Sequence, residues 1–202
     1  MELKESLLVY APLSNECLAE LERHAELVTL ESGQAIVKQN EMCDNFYVNR
    51  TGIMRVCHES DGKKHSILFG TEGDIYTSLH SWVAGERSPF SLIAVGEAEV
   101  YSISYATMRR VLADFPEAVN WFLQLSLQQL YGLERRYLSF CSNNTEERLR
   151  TFMYNVDPKF KRMPGRKMVQ HVPLKYIASY LGVAQATLSR LRAKIVRGDR
   201  RK

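Results

Sequence analysis

The hydrophobic period of this chain changes twice, and that change bounds its fold more tightly than any motif. Leu3 to Arg23 reads as helix, with Ser14 placed to cap an amphipathic run holding Leu18 and Leu21. From Val28 the period falls to that of strands. Short segments rich in Val, Ile, Tyr and Phe follow one another: Ala35–Lys38, Phe46–Asn49, Ile53–His58, His65–Phe69, Ser91–Val95 and Val100–Ile103. Turn residues divide them, among them Glu31-Ser32-Gly33, Asn40 to Asn45, Arg50-Thr51-Gly52, Ser60-Asp61-Gly62, Gly70 to Gly73, Gly85-Glu86 and Gly96-Glu97. Closely spaced short strands with frequent turns predict a β-sandwich or barrel. Asp61-Gly62, between Met54-Arg55-Val56 and Ser66-Ile67-Leu68, is a hairpin signal, because Asp and Gly accept the positive φ of a tight turn. At Tyr105 the helical period returns with Met108, Val111, Leu112 and Phe115, and Pro116 marks a break.

The longest regular segment follows, from about Glu117 to Cys141. Val119, Leu123, Ser126, Leu130, Leu133, Tyr137 and Phe140 alternate at spacings of four and three, a heptad seam sustained over about three repeats. Phe122 and Leu127 lie off the seam and are expected to pack on the β-rich part. One side for its own chain and one for a second copy predicts a homodimer interface. Ser126 interrupts the seam with a small hydroxyl, which could fix register, contact a ligand or do neither. Asn144 then caps a further helix, with Glu147 three residues on as in a capping box, and Leu149, Phe152 and Met153 carry it to about Val156. Asp157-Pro158 stops it. Lys159 to Lys167 reads as a basic connector, and Met168 to Val172 as a short strand.

Val172 to Val196 reads as two short helices broken at Gly182. Ile177, Ala178 and Leu181 share one face of the first; Leu188, Leu191 and Ile195 share one face of the second. Helices this short depend on packing against each other and their surroundings. The pattern is that of a helix-turn-helix, whose second helix enters the DNA major groove. Its opposite face carries Gln185, Ala186, Ser189 and Arg190, and a guanidinium can hold a guanine edge with two bonds. An ordinary helical hairpin with a solvated polar face has the same pattern, so charge has to decide. From Lys159 onward, 13 Lys or Arg stand against one acid, Asp199, a balance of +12; residues 1–158 hold 14 bases and 22 acids, a balance of −8. A basic end carrying the hairpin suits the phosphate backbone of a nucleic acid. An anionic membrane would require a large exposed apolar face, and here that face is needed to close the hairpin.

The four cysteines, Cys17, Cys43, Cys57 and Cys141, form no CxxC pair and have no His at zinc-ligand spacing. No apolar run is long enough to span a bilayer, and the N-terminus lacks a signal-peptide pattern, so a cytoplasmic protein with reduced thiols is expected. No nucleophile and base are suggested. A cupin-type metal enzyme would need a His and Glu cluster that His58 and His65 do not supply. The chain is therefore not expected to be an enzyme.

A β-rich front, a long seam-bearing helix and a terminal helix-turn-helix, in that order, resemble the Crp/Fnr family of bacterial transcription regulators over nearly the whole chain. The resemblance is carried by Phe46-Tyr47-Val48-Asn49-Arg50-Thr51-Gly52, Glu72-Gly73-Asp74, Gly85-Glu86-Arg87-Ser88, Asn144 to Leu149, and Ile177 to Arg192. The phrase IASYLGVAQATLSRLR looks like the variant common in Bacteroidetes members. The resemblance implies an α+β fold. It comprises an N-terminal double-stranded, jelly-roll-like β-roll of effector-binding type (1–116), a central dimerisation helix (117–142) and a winged-helix-like helix-turn-helix domain (143–202). Few residues remain after Ile195, so the wing is expected to be reduced or absent.

For the effector, the resemblance implies a site at Arg87 and Ser88, which match the Arg-Ser that binds the cyclic phosphate in the family's cyclic AMP sensors. The Gly-Glu that takes the ribose there is Thr77-Ser78 here, so the carboxylate is missing, and Pro89 removes a backbone donor. These departures argue against cyclic AMP. Tyr76, His80 and Trp82 make the loop aromatic, fit either to suit another small molecule or to fill the space. The N-terminal cysteine cluster of the family's iron–sulfur sensors is absent, and the five His show no haem arrangement. In the reading helix Ala186 stands where members often carry Glu, which removes a cytosine contact; Arg190 matches their Arg. Gln185 and Ser189 are further base or phosphate contacts, and Thr187 and Lys175 phosphate contacts; a solvated surface position is the alternative for each, and the one favoured for Lys175. The expected partners are double-stranded DNA, a second copy of the chain, RNA polymerase and an unidentified effector. The alternative is a small-molecule-binding β-roll that acts by protein contact and carries a vestigial DNA domain.

Overall fold

The structure is a computed structural model of the chain and describes residues 1–142, 144–154 and 171–199. The stop at Asp157-Pro158, the basic connector, residues 168–170 of the expected strand and any wing beyond Asp199 lie outside the described residues. Helices α1 (Leu3–Leu8) and α2 (Asn15–Arg23) come first. Strands β1 (Glu26–Leu30), β2 (Ala35–Val37), β3 (Asn45–Thr51), β4 (Met54–Ser60), β5 (Lys63–Gly70) and β6 (Ile75–Tyr76) follow, then a π-helical turn (His80–Ala84), β7 (Ser91–Ala94) and β8 (Ala98–Ser104). Helices α3 (Tyr105–Asp114), α4 (Pro116–Ser142), α5 (Thr145–Tyr154), α6 (Leu174–Leu181) and α7 (Gln185–Asp199) complete it.

The expected first helix is two. Pro12 has no amide to donate, so the helix does not run through it; α1 ends at Leu8 and helix restarts after Ser14, whose Oγ accepts from the Cys17 amide at 3.2 Å. The strands form two antiparallel four-stranded sheets, ordered β1-β8-β3-β6 and β2-β7-β4-β5, which face each other as a β-roll. Two strands were not named from sequence: β1, whose residues are mostly exposed on an edge, and β6, which is only two residues long. The Asp61-Gly62 hairpin forms as expected. Ser60 pairs with Lys63, and both turn residues have positive φ (52° and 69°), which makes a type I′ turn. Pro116 stands at the start of α4, after Phe115 takes an extended conformation, so the break separates two helices.

The main core lies between the sheets and is closed by α1, α2, α3 and the start of α4. Trp121 of α4 is 1% exposed, and its indole N–H donates to the Leu7 carbonyl at 2.7 Å, tying α4 to α1 across the roll. Ala118 and Leu125 are buried beside it, and Phe122 packs on the core as expected. Leu127 does not: it is 48% exposed, on a side of α4 that the roll does not cover. Gln129 makes the next link instead, its side-chain amide donating to the Ile75 carbonyl at 2.9 Å. The Ser126 hydroxyl turns back onto the Phe122 carbonyl of its own helix.

A second core lies at the other end of the roll. There Ile53 and Phe69 meet Leu149 of α5, Val172 just before α6, Ile177, Ala178 and Leu181 of α6, and Leu188 of α7. The terminal helices are thus packed onto the β4–β5 side of the same chain. Trp121→Ala should destabilise the fold by about 3–5 kcal/mol in urea unfolding, since it removes both a large buried volume and the bond to Leu7.

Candidate nucleic-acid interface and effector site

The hairpin is built at Gly182. It is left-handed (φ 67°, ψ 37°); its amide donates to Ser179 O at 3.2 Å, and the Val183 amide reaches back to Ala178 O at 3.0 Å. This pair of bonds is a Schellman motif, and it turns the chain from α6 into α7 with its last carbonyls satisfied. A Cβ at Gly182 would also press on the Phe140 ring at 3.3 Å. Ile177, Ala178, Leu181 and Leu188 are buried and Leu191 half-buried, as the apolar spacing requires; the Ile195 side chain lies outside the described residues. Asn144 and Glu147 form the expected capping box, at 3.0 and 3.3 Å, and Lys194 pairs with Glu146 at 2.6 Å, joining α7 to α5.

Burying Leu188 turns the opposite side of α7 outward. Gln185, Ala186, Ser189 and Arg190 are all exposed, and Thr187 is half-buried. Arg190 makes only a 3.4 Å contact from Nε to the Ala186 carbonyl, so its guanidinium is not committed to any carboxylate among the described residues. Lys175 is exposed at the start of α6, with its ammonium 5.1 Å from the centre of the Tyr176 ring.

The effector candidates do not converge. Arg87 is exposed and gives a guanidinium N–H to the Asn40 carbonyl at 2.8 Å. Ser88 is fully buried and bonds the Phe90 carbonyl at 2.8 Å. The Thr77 hydroxyl is bonded to Asn45 O and lies 2.6 Å from the Tyr105 hydroxyl, which itself donates to the Ser78 carbonyl. Burial pushes the Tyr105 phenol well above its ordinary range, so it stays protonated. Trp82 packs edge-on against Phe46 and Tyr105 at 5.0 and 4.8 Å, with Phe122 beside them and the Arg109 guanidinium over its outer face. Tyr76 is buried against Gly70, where any side chain would collide with its hydroxyl. His80 is exposed on the π-helical turn. Of the sequence's two readings of the aromatic loop, Trp82 and Tyr76 follow the one in which rings fill the space. With no carboxylate at Thr77-Ser78 and both the Arg87 and Ser88 side chains engaged by the chain's own carbonyls, the residues present do not fit a cyclic nucleotide.

Comparison with known proteins now bears on this arrangement. Residues 27–115 match the cyclic nucleotide-binding domain family. The nitrogen fixation regulation protein FixK of Bradyrhizobium diazoefficiens is 24% identical over 183 residues, which cover 89% of this chain and 76% of that protein. The fumarate and nitrate reduction regulatory protein of Vibrio cholerae is 22% identical, over 84% of this chain and 68% of its own. The solved structure of FixK2 from Bradyrhizobium japonicum superposes with a TM-score of 0.70 at 17% identity, covering 87% of this chain and 86% of that one. The chain carries a cyclic nucleotide-binding domain over residues 27–115 and is similar over most of its length to regulators of the Crp/Fnr type. The described residues include no group of three or more His, Cys, Asp or Glu able to hold a metal ion. Cys17 and Cys43 are buried, and burial first, with Glu117 second, pushes the Cys17 thiol up to about 11. No helix among the described residues is long and apolar enough to cross a membrane.

Sequence reasoning missed the residues that seat α6. Ser66 of β5 donates its hydroxyl to the Tyr176 carbonyl at 2.9 Å, and its amide donates to the Ser179 hydroxyl at 2.9 Å. Arg55 and Arg136 stack on Tyr176 and Tyr180. The available signal was two tyrosines and a serine on the side of α6 away from Ile177, which is too aromatic for a purely solvated face. Calorimetric titration of the chain with cyclic AMP should give no saturable heat up to millimolar ligand, and saturable binding would show that the aromatic cluster opens.

Proposed function

We propose that the chain is a non-enzymatic, homodimeric regulator that reads a roughly palindromic DNA site with α7, partitioned as 1–116 β-roll, 117–142 dimer helix and 143–202 reader. The observation that carries this reading is the two-sided α7. Leu188 anchors it, and the Gln185, Ala186, Ser189 and Arg190 face is left open over a tightly capped turn. That face is long enough to cross a major groove and carries the guanidinium that a groove-reading helix needs. The basic balance beyond Lys159 supplies phosphate attraction, and Lys175 and Thr187 lie beside the reading face to receive the backbone. The regulators to which the chain is similar support the same reading.

Dimerisation rests on α4. Val119, Leu123, Leu130, Leu133 and Tyr137 are between 52% and 70% exposed, a continuous apolar stripe that the single chain leaves wet. A stripe of this spacing and length is covered by a second copy of itself in a parallel pair. Phe140 differs from the rest of the seam. It packs on the Gly182 turn of its own chain, with the Arg136 and Arg148 guanidiniums over its ring, and so joins the dimer helix to the reader. Two copies of α7 related by a two-fold axis would read half-sites about one helical turn apart, roughly 34 Å. Any effector acting on the roll would be a molecule other than a cyclic nucleotide.

Two substitutions test this. With a duplex selected from a random pool by the wild-type chain, Arg190→Ala should cost about 1–3 kcal/mol of specific affinity. It should leave the salt dependence nearly unchanged; intact specific affinity would reject Arg190 as the reader. Leu130→Asp should sediment as a monomer in ultracentrifugation, and an unaltered mass would place the interface away from α4.

A further inference from the structure

Arg55 lies in β4, in the roll, yet it is only 3% exposed and faces the DNA-binding end. Its Nε donates to the Ser66 hydroxyl at 2.9 Å, a terminal nitrogen donates to the Lys64 carbonyl at 3.0 Å, and its plane lies 4.0 Å from the Tyr176 ring centre. Arg136, on α4, lies 4.1 Å from the Tyr180 ring centre and points one nitrogen at the carbonyls of Ser66 and Tyr180, both at 3.4 Å. Tyr176 and Tyr180 are one helical turn apart on α6, so the two guanidiniums grip the same side of the first reader helix, one from the sheet and one from the dimer helix. Neither has a carboxylate within ion-pair distance among the described residues. Burial pulls the Arg136 pKa below its ordinary value, in keeping with a charge held by rings and carbonyls alone.

Such an attachment differs physically from a salt bridge. A buried charge seated on a ring face at contact distance is screened little by dissolved ions, whereas exposed charges acting over a Debye length are screened strongly. We propose that Arg55 and Arg136 are positioning residues for the DNA reader, docking α6 on β5 and α4 through aromatic rings and main-chain carbonyls so that roll, dimer helix and reader hold one geometry in low and high salt alike. This rests on α7 being the reader. It assigns the spacing of the two reading helices to a contact between domains, while affinity for phosphate stays salt-sensitive.

The test is amide hydrogen exchange of the full chain without DNA, at 50 and 500 mM NaCl, read by mass spectrometry on peptides spanning β5, where the Ser66 amide is bound to Ser179. Peptides from β3 and β8 report whether the roll stays folded. Wild type should protect β5 equally at both salts. The double variant Tyr176→Leu with Tyr180→Leu should exchange there at least tenfold faster with β3 and β8 unchanged, and Tyr176→Phe with Tyr180→Phe, which keeps both ring faces, should restore protection. Unchanged β5 exchange in the Leu variant, Phe variants as fast as the Leu variant, or wild-type protection lost at 500 mM would each overturn the clamp. On the selected duplex, the Leu variant should lose at least tenfold of the wild-type discrimination against a site with five base pairs inserted between half-sites, while keeping its salt slope. A wild-type chain that selects no duplex would reject the reader itself, a result separate from the exchange data because those are taken on free protein.

Discussion

Helix α4 has more apolar surface than its own chain can cover, and the rest of the architecture follows from how that surface is divided. Its first turns sink Trp121 into the roll and bond it to α1, which fixes the helix axis relative to both sheets. Past Leu125 the helix reaches the roll through polar side chains, Gln129 on the Ile75 carbonyl and Arg136 on the Ser66 carbonyl, yet its apolar spacing continues for several more turns. A helix of 27 residues so anchored at one end projects rigidly, since each residue adds about 1.5 Å of rise. Whatever covers the stripe is therefore held at a fixed distance and angle from the roll. The terminal helices pack at the far end of the same rod, against Phe140 and Arg136.

The β-roll in turn gives up part of the surface that its fold family uses for ligands. Phe46, Trp82, Tyr105 and Phe122 form one aromatic cluster, and the hydroxyls of Thr77 and Tyr105 satisfy each other and nearby carbonyls. Aromatic rings meeting edge to face pack densely and add attraction beyond their buried area. A cavity filled in this way stabilises the domain. The polar groups that would hold a phosphate, Arg87 and Ser88, are turned to structural use within the loop. The roll's opposite side, β4–β5, then becomes its contact with the reader.

The residues that were legible in sequence are those whose neighbours are local. The Asp61-Gly62 turn, the Asn144–Glu147 box, the Gly182 break and the Leu188 face are each specified within a few positions, and all form as read. The break between α1 and α2 was missed because the periodicity continues across Pro12 even though the backbone cannot. Leu127 looks like a core residue on spacing alone, because sequence does not reveal which side of the helix the roll covers. Arg55 is the clearest case of what remained hidden. Within its strand it reads as an outward-facing base, and only the fold brings Tyr176, some 120 positions later, over its guanidinium.

That long-range contact also explains why charge alone was an incomplete guide to this chain. Counting bases and acids assigns every arginine to the same electrostatic role, attraction for a polyanion. In the fold the arginines divide by what they face. Arg190 stays exposed, with no acid partner among the described residues, whereas Arg55 and Arg136 place their charge on rings and carbonyls of the chain itself. The first kind would bind DNA with an affinity that falls as salt rises, because counterions compete for the same phosphates. The second kind fixes geometry and is indifferent to that competition. A regulator built from both would hold the spacing of its reading helices constant while ionic strength tunes how tightly they bind, so that site spacing, set by Arg55 and Arg136 in β4 and α4, and grip on the backbone, set by the basic end of the chain, become separable.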